Sequence, residues 1–455
     1  MTAVWCALAV LPVPDGDAVN HVAQGVLLTI SGEHITDVVV GAQRPVDGDN
    51  VEVLDGLSMP GFANAHSHAF HRALRGRTHR GRGDFWTWRE QMYAVAARLT
   101  PENYLALARA TFAEMVMAGY TCVGEFHYVH HLPDGTPYAD PNAMGEAIIT
   151  AAGDAGIRLT LLDACYLRAG CRLPLLAQQA RFCDGTASAW VERVDRLQDR
   201  DGVRIGAAVH SVRAVDAASI GVVADHASSR SMPLHAHVSE QVGENEQVYE
   251  EYECTPTELL ARQGALTERF TAVHATHLQQ LDIDLYAARH CSCCFCPTTE
   301  RDLADGIGPS ARLSAAGVPL SIGSDQHAVI DPFEEMRGIE MDERLRSMQR
   351  GTHSAAELLS VGTVNGYRSL GWPDGGRIAV GALADLTTVS LNGVRLAGAP
   401  ADALIDALVF AASSSDVTDV IVGGRRVVRR GIHATMNVAS ELREAIAAVT
   451  GELSA

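Results

Sequence analysis

The segment Met59-Pro60-Gly61-Phe62-Ala63-Asn64-Ala65-His66-Ser67-His68 constrains the fold of this chain more than any other. An apolar run ends in two histidines at i and i+2. Alternate side chains of an extended chain share a face, so both imidazoles point at one place and a strand end holds them there. Converging neutral imidazoles suit a divalent transition metal, zinc above all. A turn with two solvated histidines has the same pattern. The metal reading therefore requires further ligands, and a fold that gathers distant strand ends.

The chain past residue 57 supplies such a fold. Apolar strand candidates recur at 57–64, 120–124, 157–162, 204–209, 232–237, 271–274, 290–296 and 318–323, with helical stretches between them. Thr100-Pro101-Glu102 is a helix start, with Thr as N-cap and Pro in the first turn. Tyr104, Leu105, Ala108, Phe112, Met115 and Val116 follow at helical spacing, and Gly119 is placed to end the helix. Residues 142–155, ending at Gly156, repeat the scheme. Alternating strands and helices predict an α/β protein, a (β/α)8 TIM-type barrel over 58–372. Short β-type runs lie at 4–13, 26–30, 34–40 and 51–54, and again at 377–380, 384–389, 406–410 and 419–428. They are expected to pair as a small discontinuous β-sandwich domain, 1–57 with 373–437, built from both chain ends. A C-terminal helix is expected within 438–455.

Polar side chains fall at or just past the strand candidates: His66 and His68; Glu125, His127 and Tyr128; Asp163; His210 and Arg213; His237 and Glu240; His274 and His277; Thr298, Thr299 and Glu300; Asp325 and His327. In a barrel these ends converge at one mouth. His66, His68, His237 and Asp325 form a nitrogen/oxygen set suited to zinc with room for a water. His235 shares a strand face with His237, and spacing does not choose between them. Glu240 could carry a proton between a water and a leaving nitrogen. His274 could polarise the water or a developing charge.

Composition removes several alternatives. The chain has no lysine, so all 36 basic residues are arginine. That excludes lysine Schiff bases and a metal pair bridged by a modified lysine. A net charge of −19 argues against nucleic-acid partners. Residues 72–98 are nonetheless dense in arginine (Arg72, Arg75, Arg77, Arg80, Arg82, Arg89 and Arg98). Most read as solvated or subunit contacts; Arg89 stands apart beside Trp86 and Trp88. Ten cysteines without a framework read as reduced thiols of a cytoplasmic protein. Four of them, Cys291, Cys293, Cys294 and Cys296, read as part of a buried strand rather than a zinc ribbon. No run approaches the ~20 apolar residues of a membrane span, and the apolar stretch 3–13 reads as a strand rather than a signal peptide.

His66-Ser67-His68, His237 with Glu240, His274 and Ser324-Asp325 together resemble the amidohydrolase superfamily, in its mononuclear-zinc deaminase branch, over essentially the whole chain. In that branch the zinc histidine precedes the catalytic Glu by three, which selects His237. Narrower blocks resemble the formimidoylglutamate deiminase family. They are Asn64-Ala65-His66-Ser67-His68-Ala69-Phe70, Phe85-Trp86-Thr87-Trp88-Arg89-Glu90, Gly124-Glu125-Phe126-His127-Tyr128, His210-Ser211-Val212-Arg213 and Cys296-Pro297-Thr298-Thr299-Glu300. The resemblance implies one Zn2+ per subunit (with Fe2+ or another divalent ion as the alternative) and catalysis by Glu240, His274 and Asp325. Arg89, Tyr128, His210 and Arg213 would bind substrate, with both arginines on its carboxylates. His71 stands where that family often has Gln. The implied reaction is hydrolytic deimination of N-formimidoyl-L-glutamate, in histidine degradation, by a homodimer. Guanidinium groups suit such a small anionic dicarboxylate on physical grounds as well. The competing expectations are a deaminase or chlorohydrolase of a guanine- or triazine-like heterocycle, and a catalytically silent scaffold.

Overall fold

Eight parallel strands form the centre of the molecule, and a mixed sheet made from both chain ends packs beside them. The structure, a computed structural model, describes residues 2–12, 19–46, 50–78 and 85–451, with 19–20 and 85–87 described by backbone alone. Arg80, Arg82 and the side chain of Trp86 therefore lie outside the described residues.

The first four strands are β1 (Thr2–Pro12), β2 (Val19–Ser31), β3 (His34–Val40) and β4 (Val51–Pro60). The barrel follows: β5 (Phe62–Ser67), β6 (Tyr120–His127), β7 (Arg158–Cys165), β8 (Val203–Ser211), β9 (Leu234–Val238), β10 (Phe270–His274), β11 (Ser292–Phe295) and β12 (Leu320–Ile322). They pair in sequence order from β5 to β12. A parallel bridge between Ser67 and Asp325 closes the ring. There Asp325 N donates to His66 O at 3.0 Å and His68 N to Asp325 O at 3.1 Å. Strands covered on both faces need apolar residues throughout, and β6 and β7 are buried at every position. The four clustered cysteines are buried free thiols on and beside β11, as expected.

The discontinuous sheet takes β13 (Leu386–Val389), β14 (Val417–Val422), β15 (Arg425–Arg429) and β16 (Ile432–His433) from the C-terminal part. Its order is β16-β15-β14-β13-β4-β1-β2-β3.

Three details correct the sequence reading. The strand expected over 57–64 is two strands in two sheets, β4 and β5, and the chain crosses between them at Gly61. A Cβ there would lie 2.0 Å from Thr121 Oγ1, so only glycine fits the crossing. Residues 406–410 belong to a helix, Leu404–Ala411, whose Leu404 and Leu408 are buried one turn apart; the short apolar run did not reveal that period. Residues 377–380 form no strand, and only Ile378 among them is buried.

The helix ends follow the capping chemistry. Thr100 Oγ1 accepts from Asn103 N, and Asn103 Oδ1 accepts from Thr100 N at 2.7 Å. Gly119 closes that helix at φ 105° and Gly156 closes Ala143–Ala155 at φ 75°. The final helix, Val438–Thr450, packs on Pro101–Ala118. Among the described residues no helix is long and apolar enough to cross a membrane.

One buried ion pair ties barrel to sheet. Arg158, on β7, reaches Asp385 at 2.7 and 3.1 Å and Glu33 at 2.8 Å. Tyr367 and the Gly423 N–H also donate to the Asp385 carboxylate. Removing Asp385 takes two hydrogen bonds and the buried counter-charge from Arg158 and leaves it only the half-exposed Glu33, at a cost of up to about 3–5 kcal/mol. Asp385→Ala is expected to destabilise the fold by that amount, read as a lower midpoint in urea unfolding.

Candidate metal centre and active site

Two strand ends and the loop after β12 bring the expected ligands together. The rings of His66, on β5, and His68, just past its end, lie 4.7 Å apart. His237 Nε2, from β9, is 3.1 Å from His66 Nε2. Asp325 Oδ1 is 3.4 Å from Nε2 of both His66 and His68. Two tautomers are set from outside: His68 Nδ1 donates to Phe126 O at 2.9 Å and His237 Nδ1 to His210 O at 2.8 Å. Their Nε2 atoms therefore carry bare lone pairs toward the centre. His66 has one ring proton at most to place among two imidazoles and a carboxylate, and its buried Nδ1 has no hydrogen-bond partner. A divalent cation satisfies this donor set.

Electrostatics agree. Burial lowers the pKa of His66, His68 and His237, keeping them neutral as ligands must be. Burial opposes ionisation of Asp325, but the hydrogen bond with His66 and the charge on nearby His274 hold its carboxyl below the usual range. Asp325 also sits at φ 41°, a conformation costly for a residue with a Cβ, held by its backbone bonds across the seam. His235 lies one pleat lower on β9, with Nε2 on Ser369 O at 3.0 Å. Geometry thus separates it from His237 where spacing did not.

Several residues expected at the mouth instead stand behind it. Glu125 accepts from Ser67 Oγ and Ala69 N, each at 2.6 Å, and so anchors the loop carrying His66 and His68. His327 holds Ser324 Oγ at 2.9 Å, and Ser324 in turn binds Asn64. His127 stacks on Tyr104 and Asp163 is taken by Arg193. His277 binds the Asp305 carbonyl, and Thr298 binds Glu335.

A pocket opens in front of the ligands, lined by His68, His237 and Asp325 on one side and by Arg89, Arg213 and Tyr166 on the other. His274, on β10, places Nε2 3.9 Å from both Asp325 Oδ2 and Glu240 Oε1, while Nδ1 lies 3.3 Å from Glu300 Oε1. Burial alone would lower the His274 pKa; Glu240, Glu300 and Asp325 outweigh it and raise it. Burial raises the Glu240 carboxyl despite the pull of His274 and Arg213. Arg213 Nε lies 3.3 Å from Glu244 Oε2, and Glu244 also takes the Ser239 N–H. Sequence reading assigned Glu300 no role of its own and passed over Glu244. The latter sits in the first turn of helix Val242–Tyr252, four residues after Glu240, and that spacing on a helix start was the available signal.

Arg89, Tyr128, His210, Arg213 and His71 all line this pocket. His71 Nε2 meets Tyr128 Oη at 2.8 Å, its ring packs edge-on to Trp88, and burial pushes its pKa down to about 3. Arg89 lies over the Tyr93 ring, its guanidinium carbon 5.5 Å from the centroid. Both Arg89 and Arg213 act electrostatically on Tyr166 and His210, so the two guanidiniums serve one region.

Residues 57–427 match the Amidohydrolase family. The formimidoylglutamate deiminase of Pseudomonas aeruginosa is 37% identical over 449 residues, covering 95% of this chain and 96% of that protein. The 5-methylthioadenosine/S-adenosylhomocysteine deaminase of Natronomonas pharaonis is 31% identical over 86% of this chain and 85% of its own length. The crystal structure of an amidohydrolase from Brucella melitensis superposes with TM-score 0.89 at 31% identity, covering 99% of this chain and 100% of that one.

Removing a ligand should empty the site, whereas removing the deeper histidine should not. His237→Ala and Asp325→Ala are expected to retain under about a tenth of the wild-type divalent metal by elemental analysis, and His235→Ala to retain most of it.

Proposed function

Because this chain belongs to the amidohydrolase family and is a hydrolytic deiminase by its relatives, we propose that it converts N-formimidoyl-L-glutamate and water to N-formyl-L-glutamate and ammonia, a step of histidine degradation. The observation that carries this reading is the placement of Arg89 and Arg213 in the pocket that also holds the metal ligands, in a chain of net charge −19. Two guanidiniums suit two carboxylates, and the P. aeruginosa relative bears the name of that activity.

His66, His68, His237 and Asp325 would hold the ion, and their nitrogen/oxygen chemistry favours zinc over iron. A divalent ion there supplies Lewis acidity that lowers the pKa of water to about 7. The protein's own groups manage the protons. Carboxylates facing both ring nitrogens keep His274 protonated, so it serves as a positive charge beside Glu240 and Asp325 rather than as the base. Proton removal from the water therefore falls to those two carboxylates. The water oxygen bonds to the formimidoyl carbon. Glu240 then delivers that proton to the imino nitrogen, leaving a carbon that bears OH and NH2. The hydroxyl proton passes by way of a carboxylate to the NH2 group as the carbon–nitrogen bond breaks, so the formyl C=O forms and ammonia leaves. Arg89 and Arg213 hold the dicarboxylate so that this carbon faces the water; their contribution is orientation.

The aromatic lining gives a second reading some support. Trp88, Tyr128 and Phe182 line the pocket and could stack a flat heterocycle, as in a nucleoside deaminase. A coupled ammonia assay on metal-loaded enzyme separates the two. Release from N-formimidoyl-L-glutamate, and little from adenosine- or guanine-like compounds, is the expected pattern; the reverse preference would transfer the assignment to the heterocycle. Glu240→Gln should lower kcat by about 10²–10⁴ with metal content intact. Arg213→Met should raise KM by about 10- to 100-fold with metal retained. Unchanged kinetics in either variant would remove that residue from the proposed role.

A further inference from the structure

Behind the substrate wall, Gln179 organises two tyrosines. It lies in the short helix Ala177–Phe182 and is fully buried. Its Oε1 accepts from the Leu176 N–H at 2.9 Å, which fixes the orientation of the amide. Its Nε2 therefore faces Tyr93 Oη at 2.8 Å and Tyr166 Oη at 2.9 Å, and its two protons satisfy one lone pair on each hydroxyl. Tyr93 comes from helix Phe85–Ala96 and Tyr166 follows β7; both line the pocket. Phe182 packs against both rings, at 6.1 and 5.6 Å between centroids.

Counting protons shows what is left over. Both hydroxyl oxygens accept from Gln179, which has no proton acceptor left on that side. Neither hydroxyl proton has an acceptor within the triad, so each is available to the pocket, where Arg89 and Arg213 bring positive charge to Tyr166. A hydroxyl locked as a donor beside guanidinium groups recognises a carboxylate.

We propose that Tyr93 and Tyr166, polarised and aimed by Gln179, form a carboxylate-binding subsite that selects a dicarboxylate substrate, with Gln179 as its positioning residue. This rests on the dicarboxylate reading above and adds residues that neither the sequence motifs nor the arginines reveal. Because either tyrosine can supply a free proton, both must be removed to abolish the supply. A glutamate at 179 would do the opposite of the glutamine: its outward oxygen would accept the hydroxyl protons and draw them away from the pocket.

The test compares wild type, the double variant Tyr93→Phe/Tyr166→Phe, and Gln179→Glu, each with metal content verified. With N-formimidoyl-L-glutamate, both variants are expected to raise KM about 10- to 100-fold while kcat stays within about threefold, a split that general loosening of the pocket would not produce. Two analogues, N-formimidoyl-4-aminobutyrate and N-formimidoyl-L-2-aminobutyrate, each lack one carboxylate. The penalty of the double variant should nearly vanish with one of them. A penalty equal for both analogues, or an unchanged KM, would overturn the subsite; an unchanged KM in Gln179→Glu alone would overturn the role of Gln179. If the double variant fails to fold, Gln179→Glu, which keeps every ring, decides the question. If wild type releases no ammonia from N-formimidoyl-L-glutamate, the functional reading falls. Calorimetric binding of glutarate then judges the subsite alone: weaker binding by the variants sustains it, and equal or absent binding ends it.

Discussion

Electron pairs without protons, aimed at one point from separate strands, are the constraint on which the rest of this structure depends. His68 and His237 spend their only ring proton on backbone carbonyls. Asp325 adds a carboxylate, and His66 stands 3.1 Å from His237. Such an arrangement is unfavourable in a low-dielectric interior unless a cation completes it. The supporting hydrogen bonds of Glu125, Ser324 and His327 make sense as the means of holding that geometry.

Around this centre the pocket separates charge by role. Carboxylates surround His274, whose two nitrogens face Glu300 on one side and Glu240 with Asp325 on the other. Arg213 is steadied by Glu244, so its guanidinium stays in place in the pocket wall. Carboxylates and His274 thus gather by the candidate ligands, while two guanidiniums stand in the same cavity of a chain rich in acids.

What the sequence revealed follows the range of each signal. Histidines at strand ends, the Thr100 cap and the Gly119 stop are local, and the barrel and the gathering of His66, His68, His237 and Asp325 at its mouth were legible from them. Residues whose role depends on what stands behind them were not. His127, Asp163, His277 and His327 lie at or near strand ends as His274 does, yet they face Tyr104, Arg193, Asp305 and Ser324. A strand's last residue can turn either into the mouth or toward the surrounding helices, and composition does not say which. The split at Gly61 was hidden because β4 and β5 read as one apolar run. Leu404–Ala411 was hidden because eight residues are too few to separate helical from strand periodicity. Glu244 and Gln179 lie outside any strand end, and only tertiary contact gives them a function.

The closing bridge of the barrel joins Ser67 to Asp325, between strand ends separated by almost the whole barrel sequence. Two of the histidine ligands flank one side of that junction, and the aspartate is the other side. An ion held by these residues would be a clasp on the last stave as well as a reagent. Any cation that binds only the assembled ring favours assembly by mass action, so maturation of the polypeptide and its metallation are thermodynamically one process, and scarcity of the metal would be felt first as an unfastened rim.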